Sequence, residues 1–132
     1  MRKVAPTTQT RPVRVVIADD HAPFTLALEV LFESDGRVEV VGCAGNGEEA
    51  VERTLALSPD VTLMDISMPI MDGLEATRRI RQAETGSTVL MLSGSDSASD
   101  LAEARRVGAA GYVTKDRIEG DLVEAILEVA AR

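Results

Sequence analysis

Short apolar runs alternate with segments of helical periodicity five times along the chain, starting near residue 13. The runs at residues 15–18, 61–64 and 89–92 are continuously apolar, which is typical of strands that are covered on both faces. The run at residues 38–41 contains Glu39 and is therefore predicted to be an edge strand. This alternation predicts βαβ units, and so an α/β fold built on a parallel sheet.

Polar residues and prolines mark the ends of the predicted helices. Pro23 is placed to open the first helix, because proline is tolerated in a first turn. Asn46 is predicted to cap the second helix, which Pro59 prevents from continuing. Asp72 and Glu75 have the spacing of a capping box for the third helix. Apolar stripes at helical spacing predict the inward faces of the first helix (Phe24, Ala27, Leu28, Leu31 and Phe32) and of the fifth helix (Ile118, Leu122, Ala125, Ile126 and Val129).

The fourth helical segment has the weakest signal. Residues 94–100 are Gly-Ser-Asp-Ser-Ala-Ser-Asp, and these residue types prefer caps and turns to helix interiors. Gly108 is placed to end the helix that follows. We therefore expect a short or frayed start to this helix and more motion there than elsewhere.

The charge and the aromatic content argue against direct binding of nucleic acid. The chain has 132 residues, a formal net charge of −8 and 2% aromatic residues. Nucleic-acid binding relies on Lys and Arg contacts to phosphate and on stacking platforms, which this composition supplies poorly. Four basic groups and no acid lie within the first fourteen residues. We interpret residues 1–12 as a flexible basic tail and residues 13–132 as one domain.

Cysteine content and hydropathy indicate the compartment. Cys43 is the single cysteine, so the chain has no intramolecular disulfide and no zinc-ligand spacing, and we interpret it as a small buried apolar residue. The N-terminal segment lacks the apolar region of a secretory signal, and no run approaches the roughly 20 apolar residues of a membrane span. The sequence therefore predicts a cytoplasmic protein with no membrane partner.

Three apolar runs end in groups that a phosphoryl-transfer site needs. Asp19 and Asp20 follow the first run, Asp65 follows residues 61–64, and Lys115 follows residues 112–114. Ligands of an open parallel sheet bind beyond the carboxyl ends of its strands, so we expect these four side chains to converge there.

A cluster of three carboxylates needs a counter-charge. At about 4 Å and an effective dielectric near 20, each like-charged pair costs on the order of 4 kcal/mol. Lys115 supplies one positive charge, and a hard divalent cation with oxygen ligands suits the remainder. We therefore predict Mg²⁺ as the cofactor.

Four short segments together carry a resemblance to a known family. Residues 19–21 (Asp-Asp-His), 65–73 (Asp-Ile-Ser-Met-Pro-Ile-Met-Asp-Gly), 92–94 (Leu-Ser-Gly) and 111–116 (Gly-Tyr-Val-Thr-Lys-Asp) resemble the ordered signature of response-regulator receiver domains of two-component signalling. The sequences of residues 18–21 and 112–116 most resemble those of receivers that precede a LuxR-type helix-turn-helix output domain. The resemblance implies a flavodoxin-like (βα)5 fold, a doubly wound five-stranded parallel sheet of strand order 2-1-3-4-5.

The resemblance also implies roles for the acidic residues. Asp65 would accept a phosphoryl group from the phosphohistidine of a sensor histidine kinase. Asp20, Asp65 and the main-chain carbonyl of Ser67 would bind Mg²⁺, and Asp19 would act directly or through a water molecule.

Three further residues complete the implied site. Lys115 would neutralise charge on the phosphoryl oxygens, and the Ser93 hydroxyl would donate a hydrogen bond to the same group. Ser93 and Tyr112 would form a switch that biases the face made by the fourth helix, the fifth strand and the fifth helix. The implied function is phosphorylation-controlled signalling, with transcription regulation as the expected output.

Other classes of protein remain open from the residues alone. A phosphohydrolase with Asp65 as nucleophile should have a general acid two residues further on, where Ser67 stands, and a lid, for which the chain has no spare length. A flavodoxin-like FMN carrier should have a hydroxyl-rich phosphate loop where Asp19 and Asp20 stand. A degenerate receiver would act by protein contact without phosphorylation. We expect a phosphoacceptor switch with at most self-catalysed phosphorylation and dephosphorylation, and not a turnover enzyme.

The chain ends at Arg132, just after the fifth predicted helix. We therefore expect either a stand-alone receiver or one separated from a longer protein at its linker. In the second case, a DNA-binding output domain absent from this chain would be a partner. The resemblance also allows a homodimer.

Overall fold

In a computed structural model of the protein, residues 11–94 and 97–132 are described. Five strands and five helices alternate along the chain: β1 (Val13–Ala18), α1 (Ala22–Asp35), β2 (Val38–Ala44), α2 (Gly47–Leu57), β3 (Val61–Asp65), α3 (Gly73–Gln82), β4 (Thr88–Ser93), α4 (Ala98–Arg106), β5 (Gly111–Thr114) and α5 (Ile118–Ala130). A 3-10 turn over Lys115–Arg117 joins β5 to α5. The strands form one sheet in the order β2-β1-β3-β4-β5, and every pair is parallel. The predicted doubly wound fold and its strand order are confirmed.

The register of the sheet decides which strand ends meet. Ala18 pairs with Met64, so the residues that follow them, Asp19 and Asp65, leave neighbouring strands at the same edge. On the other side of β3, Asp65 pairs with Leu92. The predicted edge position of β2 is confirmed, although the strand extends beyond the predicted run to Ala44.

Two apolar layers cover the two faces of the sheet. One layer packs α1 and α5 against the sheet, and the other packs α2, α3 and α4 against the opposite face. Alternate residues of a strand therefore enter different layers, as Leu63 and Met64 do in β3. This is why the central strands are apolar along most of their length. The predicted continuous run of β3 is interrupted by the buried Thr62, whose hydroxyl is satisfied by a hydrogen bond with that of Thr54 at 2.9 Å.

Helix caps follow the sequence signals. The Asn46 side chain accepts a hydrogen bond from the Glu49 N–H at 2.9 Å, and the Asp72 side chain accepts one from the Glu75 N–H at 2.9 Å. The Glu75 carboxylate pairs with arginines of the following turn instead of completing the capping box. Pro59 lies two residues beyond the end of α2.

The predicted inward faces of α1 and α5 are confirmed with one exception. Leu28 and Phe32 of α1 are buried, as are Leu122, Ile126 and Val129 of α5. Ala27 is exposed. Its position lies at the margin of the apolar stripe, and its short side chain does not reach the core.

Helix α4 is the shortest of the five α-helices among the described residues. It has nine residues, begins at the N-cap Ser97, and has Ala104 as its one buried residue. Its C-terminal end leads into Gly108, whose φ of 103° is in the left-handed region that glycine favours. Residues 95 and 96 of the predicted weak start lie outside the described residues, and the expected motion stays a prediction.

The predicted basic tail also falls largely outside the structure. Residues 1–10 are not among the described residues, so the division at residue 12 stays a prediction. Among the described residues, no helix is both long enough and apolar enough to cross a membrane.

Candidate functional site

Three carboxylates meet at the carboxyl edge of the sheet. Asp19 and Asp20 follow β1, and Asp65 is the last residue of β3. One carboxylate oxygen from each of the three lies within 4.8 Å of the others. Asp19 and Asp65 are buried, at 4% and 6% exposure, whereas Asp20 is exposed. The cluster therefore has two fixed acids and one that opens to solvent.

Lys115 brings a positive charge to this cluster from the end of β5. Its Nζ donates a hydrogen bond to Asp19 Oδ2 at 2.7 Å and lies 3.6 Å from Asp65 Oδ1. The second oxygen of Asp19 accepts a hydrogen bond from the His21 N–H at 2.8 Å. His21 contributes its backbone here, and its own side chain is exposed at the start of α1.

The local environment raises the pKa of Asp65. Burial is the main cause, because it disfavours the charged carboxylate, and the negative charges of Asp19 and Asp20 act in the same direction. Lys115 opposes the shift by attraction. Asp65 is therefore a carboxylate whose ionised form needs more positive charge than the described side chains provide.

The segment that follows Asp65, residues 66–72, is here called the acceptor loop. The Gly73 N–H donates a hydrogen bond to the Ile66 carbonyl at 2.8 Å, which closes the loop at its base. A Cβ atom on Gly73 would lie 2.0 Å from the Asp65 carbonyl oxygen, so glycine allows this close approach. At the far side, the Gly47 N–H donates to the Met71 carbonyl at 2.8 Å. The loop is thus fixed at both ends by backbone contacts.

The tip of the acceptor loop is a strained turn. The Met71 N–H donates to the Pro69 carbonyl at 2.7 Å, and Ile70 between them has a φ of 71°. This is the geometry of a three-residue γ-turn, which is rare and costly for a β-branched side chain. Ser67 lies in the same loop, two residues after Asp65, and is exposed.

Ser93 and Tyr112 lie on the two strands beyond Asp65. Ser93 ends β4, is 7% exposed, and directly follows Leu92, the strand partner of Asp65. Tyr112 is half-buried in β5 and lines a groove between β5, α4 and α5, together with Leu101. Ser93 is therefore at the same sheet edge as the acids, whereas Tyr112 lies farther back along β5.

Sequence reasoning missed three neighbours of the site. Phe24 was assigned only to a core stripe, yet Lys115 Nζ lies 4.4 Å from the centroid of its ring. Its position in the first turn of α1, just after the acidic pair, is the signal that could have revealed it. Gly47 and Gly73 were not identified as supports of the acceptor loop, because their role depends on how closely two separate segments approach.

The donor set of the cluster fits a hard divalent cation. All three carboxylates offer oxygen atoms, one of them is exposed, and a single ammonium leaves excess negative charge. Mg²⁺ is usually held by one or two carboxylates together with water and phosphate oxygens. The residues present therefore suit Mg²⁺.

Comparisons with known proteins agree with this architecture. The family described as "Response regulator receiver domain" matches residues 15–127. The probable transcriptional regulatory protein NarL of Mycobacterium tuberculosis is 38% identical over 122 residues, which cover 92% of this chain and 56% of that protein. The chain thus spans about half the length of the curated relatives it matches.

Solved structures show the same fold. The signal receiver domain of the putative response regulator NarL from Mycobacterium tuberculosis has a TM-score of 0.89 and 37% identity, with 92% of this chain and 98% of that chain covered. The CheY-containing complex with CheX, BeF3 and Mg²⁺ from Borrelia burgdorferi has a TM-score of 0.83 and 26% identity, with 90% of each chain covered.

Proposed function

The chain belongs to the response regulator receiver domain family, and on that premise we propose that it is a phosphorylation-controlled switch with Asp65 as the phosphoryl acceptor. Receiver domains act mainly as signalling switches, and phosphorylation by histidine kinases is general in the family. The proposal names the residue, the metal ligands and the responding face in this chain.

The observation that supports the proposal best is the convergence of charge at one sheet edge. Three carboxylates from two strand ends lie within 4.8 Å of one another, and Lys115 lies 2.7 Å from Asp19 and 3.6 Å from Asp65. Such a cluster is costly without a bound cation. A site that binds Mg²⁺ and a phosphoryl group offsets this cost with its ligands.

In the proposed reaction, a carboxylate oxygen of Asp65 attacks the phosphorus of a phosphohistidine on the kinase. The O–P bond of an acyl phosphate forms as the P–N bond breaks, and the imidazole leaves with the bonding electron pair and is protonated. Positioning and charge neutralisation dominate the catalysis of such transfers. The Lys115 ammonium, already 3.6 Å from Asp65 Oδ1, stabilises the incoming negative charge, and the Ser93 hydroxyl donates to a phosphoryl oxygen.

We assign Mg²⁺ to Asp20, Asp65 and the main-chain carbonyl of Ser67, with Asp19 binding directly or through a water molecule. When bound, Mg²⁺ supplies positive charge to the phosphoryl oxygens and favours the ionised form of the acceptor. The exposed position of Asp20 gives an entry path from solvent. The Borrelia burgdorferi CheY complex, which contains BeF3 and Mg²⁺, supports this assignment by analogy.

The switch is assigned to the face formed by α4, β5 and α5. Ser93 moves toward the phosphoryl group, and the Tyr112 ring turns into the space that this movement opens. The weak anchoring of α4, with Ala104 as its one buried residue, supports an element with two accessible arrangements.

The proposed partners are a sensor histidine kinase and an output module. Because the matched NarL relative is described as a transcriptional regulatory protein, we assign transcription regulation through a DNA-binding output domain as the downstream effect. A homodimer also remains part of this proposal. A cytoplasmic location is also included in the proposal, because it is consistent with the family.

Mass spectrometry after incubation with acetyl phosphate and Mg²⁺ tests the proposal. The wild-type protein should gain a phosphate-sized mass increment, and Asp65→Asn should not. Asp72→Asn is a matched control, because Asp72 is an exposed acid at the end of the acceptor loop and asparagine also caps helices well.

The control separates loss of the acceptor from loss of the fold. Asp72→Asn should be modified like the wild type, and hydroxylamine should remove the increment because it cleaves acyl phosphates. Modification of Asp65→Asn at the wild-type rate would refute the assignment of the acceptor. Sustained hydrolysis of a generic phosphomonoester would favour a hydrolase instead.

A further inference from the structure

The contacts of Lys115 Nζ with described residues include two carboxylates and an aromatic ring. The carboxylates are those of Asp19 and Asp65, at 2.7 Å and 3.6 Å. The ring is that of Phe24, whose centroid lies 4.4 Å away, on a helix far upstream in the sequence. The position of the ammonium is therefore set by more than the acidic cluster.

The contact between Lys115 and Phe24 has the geometry of a cation–π interaction. The face of an aromatic ring has negative potential and attracts a cation within about 6 Å of the centroid. The Lys115 side chain is 25% exposed, so water reaches part of it. By covering one side of the ammonium, the ring limits hydration there and strengthens its electrostatic interactions with the carboxylates.

Ordinary packing explains only part of the placement of Phe24. The residue is half-buried and packs against the apolar layer that contains Leu28 and Phe32. Any apolar side chain of similar size would fill that space. Packing does not require a lysine ammonium to lie over the ring, because a long side chain such as Lys115 can extend its charge into water.

We propose that Phe24 is a positioning residue, whose ring face holds the Lys115 ammonium between Asp19 and Asp65. This inference rests on the proposed function and assigns the residue that keeps the phosphoryl-binding lysine in place. In this role Phe24 acts on the reaction through the lysine.

The ring is suited to this task because its face attracts a cation over a range of positions, and not along one fixed direction as in a hydrogen bond. A hydrogen bond to Asp19 at 2.7 Å fixes the ammonium at one point. When negative charge arrives on Asp65, the ammonium has to shift toward the new oxygens. It can do so over the ring face without becoming fully hydrated at any stage. Loss of the ring should therefore slow phosphorylation by roughly two- to thirtyfold, the range expected from the strength of such contacts.

Graded fluorination of the ring tests the electrostatic part of this role. Phenylalanine with one, two or three fluorine atoms is incorporated at position 24 by nonsense suppression, and the rate of phosphorylation by acetyl phosphate with saturating Mg²⁺ is measured. Fluorine weakens the negative potential of the ring face with little change in shape. The chain has one other phenylalanine, Phe32, which is buried in α1 and serves as the matched control position.

We expect the rate to fall step by step with each fluorine at position 24 and to stay constant with the same series at position 32. A role in packing alone predicts no fall in the phosphorylation rate at position 24, because fluorination makes the ring more hydrophobic and leaves its packing intact. Thermal melting of each protein reports stability independently. A constant rate across the series at position 24 would overturn the inference.

Replacement of Phe24 by standard amino acids provides a second test. Phe24→Tyr keeps an electron-rich ring face and should retain at least half of the wild-type rate, whereas Phe24→Leu should show the slower rate. Equal rates for the two variants would contradict a role for the ring face. If wild type and Asp65→Asn behave alike, the proposed function fails; if wild type is phosphorylated and the fluorine series has no effect, only the role of Phe24 fails.

Discussion

Asp65 has a charge that its surroundings disfavour in the absence of a ligand. It is buried, and Asp19 and Asp20 add repulsion, so the pKa of the carboxyl lies above its ordinary value. Lys115 offsets this only in part, since its shortest contact is with Asp19. Binding of a cation near Asp65 should therefore lower the free-energy cost of keeping this carboxylate ionised in the folded protein.

Removing the charge should stabilise the metal-free protein. A carboxyl whose pKa is raised by folding binds its proton more tightly in the folded state, so its ionisation lowers the free energy of unfolding as pH rises above the ordinary Asp value. Asp65→Asn should therefore melt a few degrees higher than wild type at neutral pH in the presence of EDTA. The gain should shrink as pH falls through the raised pKa of Asp65 and vanish below the ordinary Asp value, where the carboxyl is protonated in both states. Thermal melts at several pH values measure this.

The sign of the change in the Tm gain with pH distinguishes a destabilised Asp65 carboxylate from a stabilised one. Asp72→Asn, which removes an exposed acid outside the cluster and leaves a good capping residue, should not reproduce this gain. A gain for Asp65→Asn that grows on acidification would show that the carboxylate is stabilised, and not destabilised, by its environment.

At the scale of elements, the acceptor loop is held by two glycines. Gly73 lies against the Asp65 carbonyl, and Gly47 at the start of α2 donates to the Met71 carbonyl. A Cβ atom at Gly47 would lie 2.2 Å from that carbonyl oxygen. The loop therefore depends on backbone contacts that any larger residue would displace.

Gly73→Ala should destabilise the protein by about 1–3 kcal/mol, the usual range for overpacking. The new methyl group would meet backbone atoms of Asp65 and Ile66, which cannot move without shifting the acceptor. Denaturant unfolding measures the loss, and the phosphorylation rate should fall as well.

Gly120→Ala is the matched control for this substitution. Gly120 lies in α5, and a Cβ atom there would meet nothing within 4 Å. Because alanine favours helix over glycine, this variant should gain up to about 1 kcal/mol. Similar changes in stability for the two variants would contradict the close approach at Gly73.

Ile70→Asn should relieve the strain at the tip of the acceptor loop. Ile70 has a φ of 71°, and its side chain is 79% exposed, so the substitution removes little buried area. Asparagine tolerates positive φ better than a β-branched residue, and the expected gain is about 1 kcal/mol. The measurement is again the free energy of unfolding from denaturant titration. A loss of stability would mean that contacts of Ile70 outweigh the strain.

At the scale of the whole molecule, parallel strands place the ends of distant segments side by side. Asp19 and Lys115, which form the 2.7 Å pair, are 96 residues apart in the chain. The site therefore exists only in the folded protein, and any ligand that binds it stabilises the fold as a whole.

Mg²⁺ should raise Tm, and above Kd the gain should grow with the logarithm of the Mg²⁺ concentration. At a concentration 100 times its Kd, the expected stabilisation is about 2.7 kcal/mol, provided that the unfolded chain does not bind it. Asp20→Asn should remove most of this gain, because it deletes the exposed ligand of the cluster. Thermal melts over a series of Mg²⁺ concentrations, with EDTA as reference, provide the measurement.

Asp116→Asn is the control for the metal experiment. Asp116 is an exposed acid next to Lys115 in sequence but is not a member of the three-carboxylate cluster. This variant should keep the full stabilisation by Mg²⁺. If it loses as much as Asp20→Asn, the effect of Mg²⁺ is a general response to surface charge.

The elements and the chemistry of the acidic residues could be predicted from the amino-acid sequence. Apolar runs and helical stripes depend on periodicity along the chain, which is a local property, so β1 to β5, the caps at Asn46 and Asp72 and the edge position of β2 could be predicted. The strand order came from the resemblance to a family, because the periodicity of each element does not specify which strands become neighbours.

The contacts between the site residues, in contrast, depend on the folded arrangement of the whole domain. The sequence placed Lys115 near three acids, but its hydrogen bond to Asp19, its distance from Asp65 and its contact with the Phe24 ring depend on distances of a few ångströms between segments far apart in the chain. The same holds for Gly47 against the acceptor loop. Such contacts follow from the packing of helices on the sheet, and no periodicity along the chain encodes them.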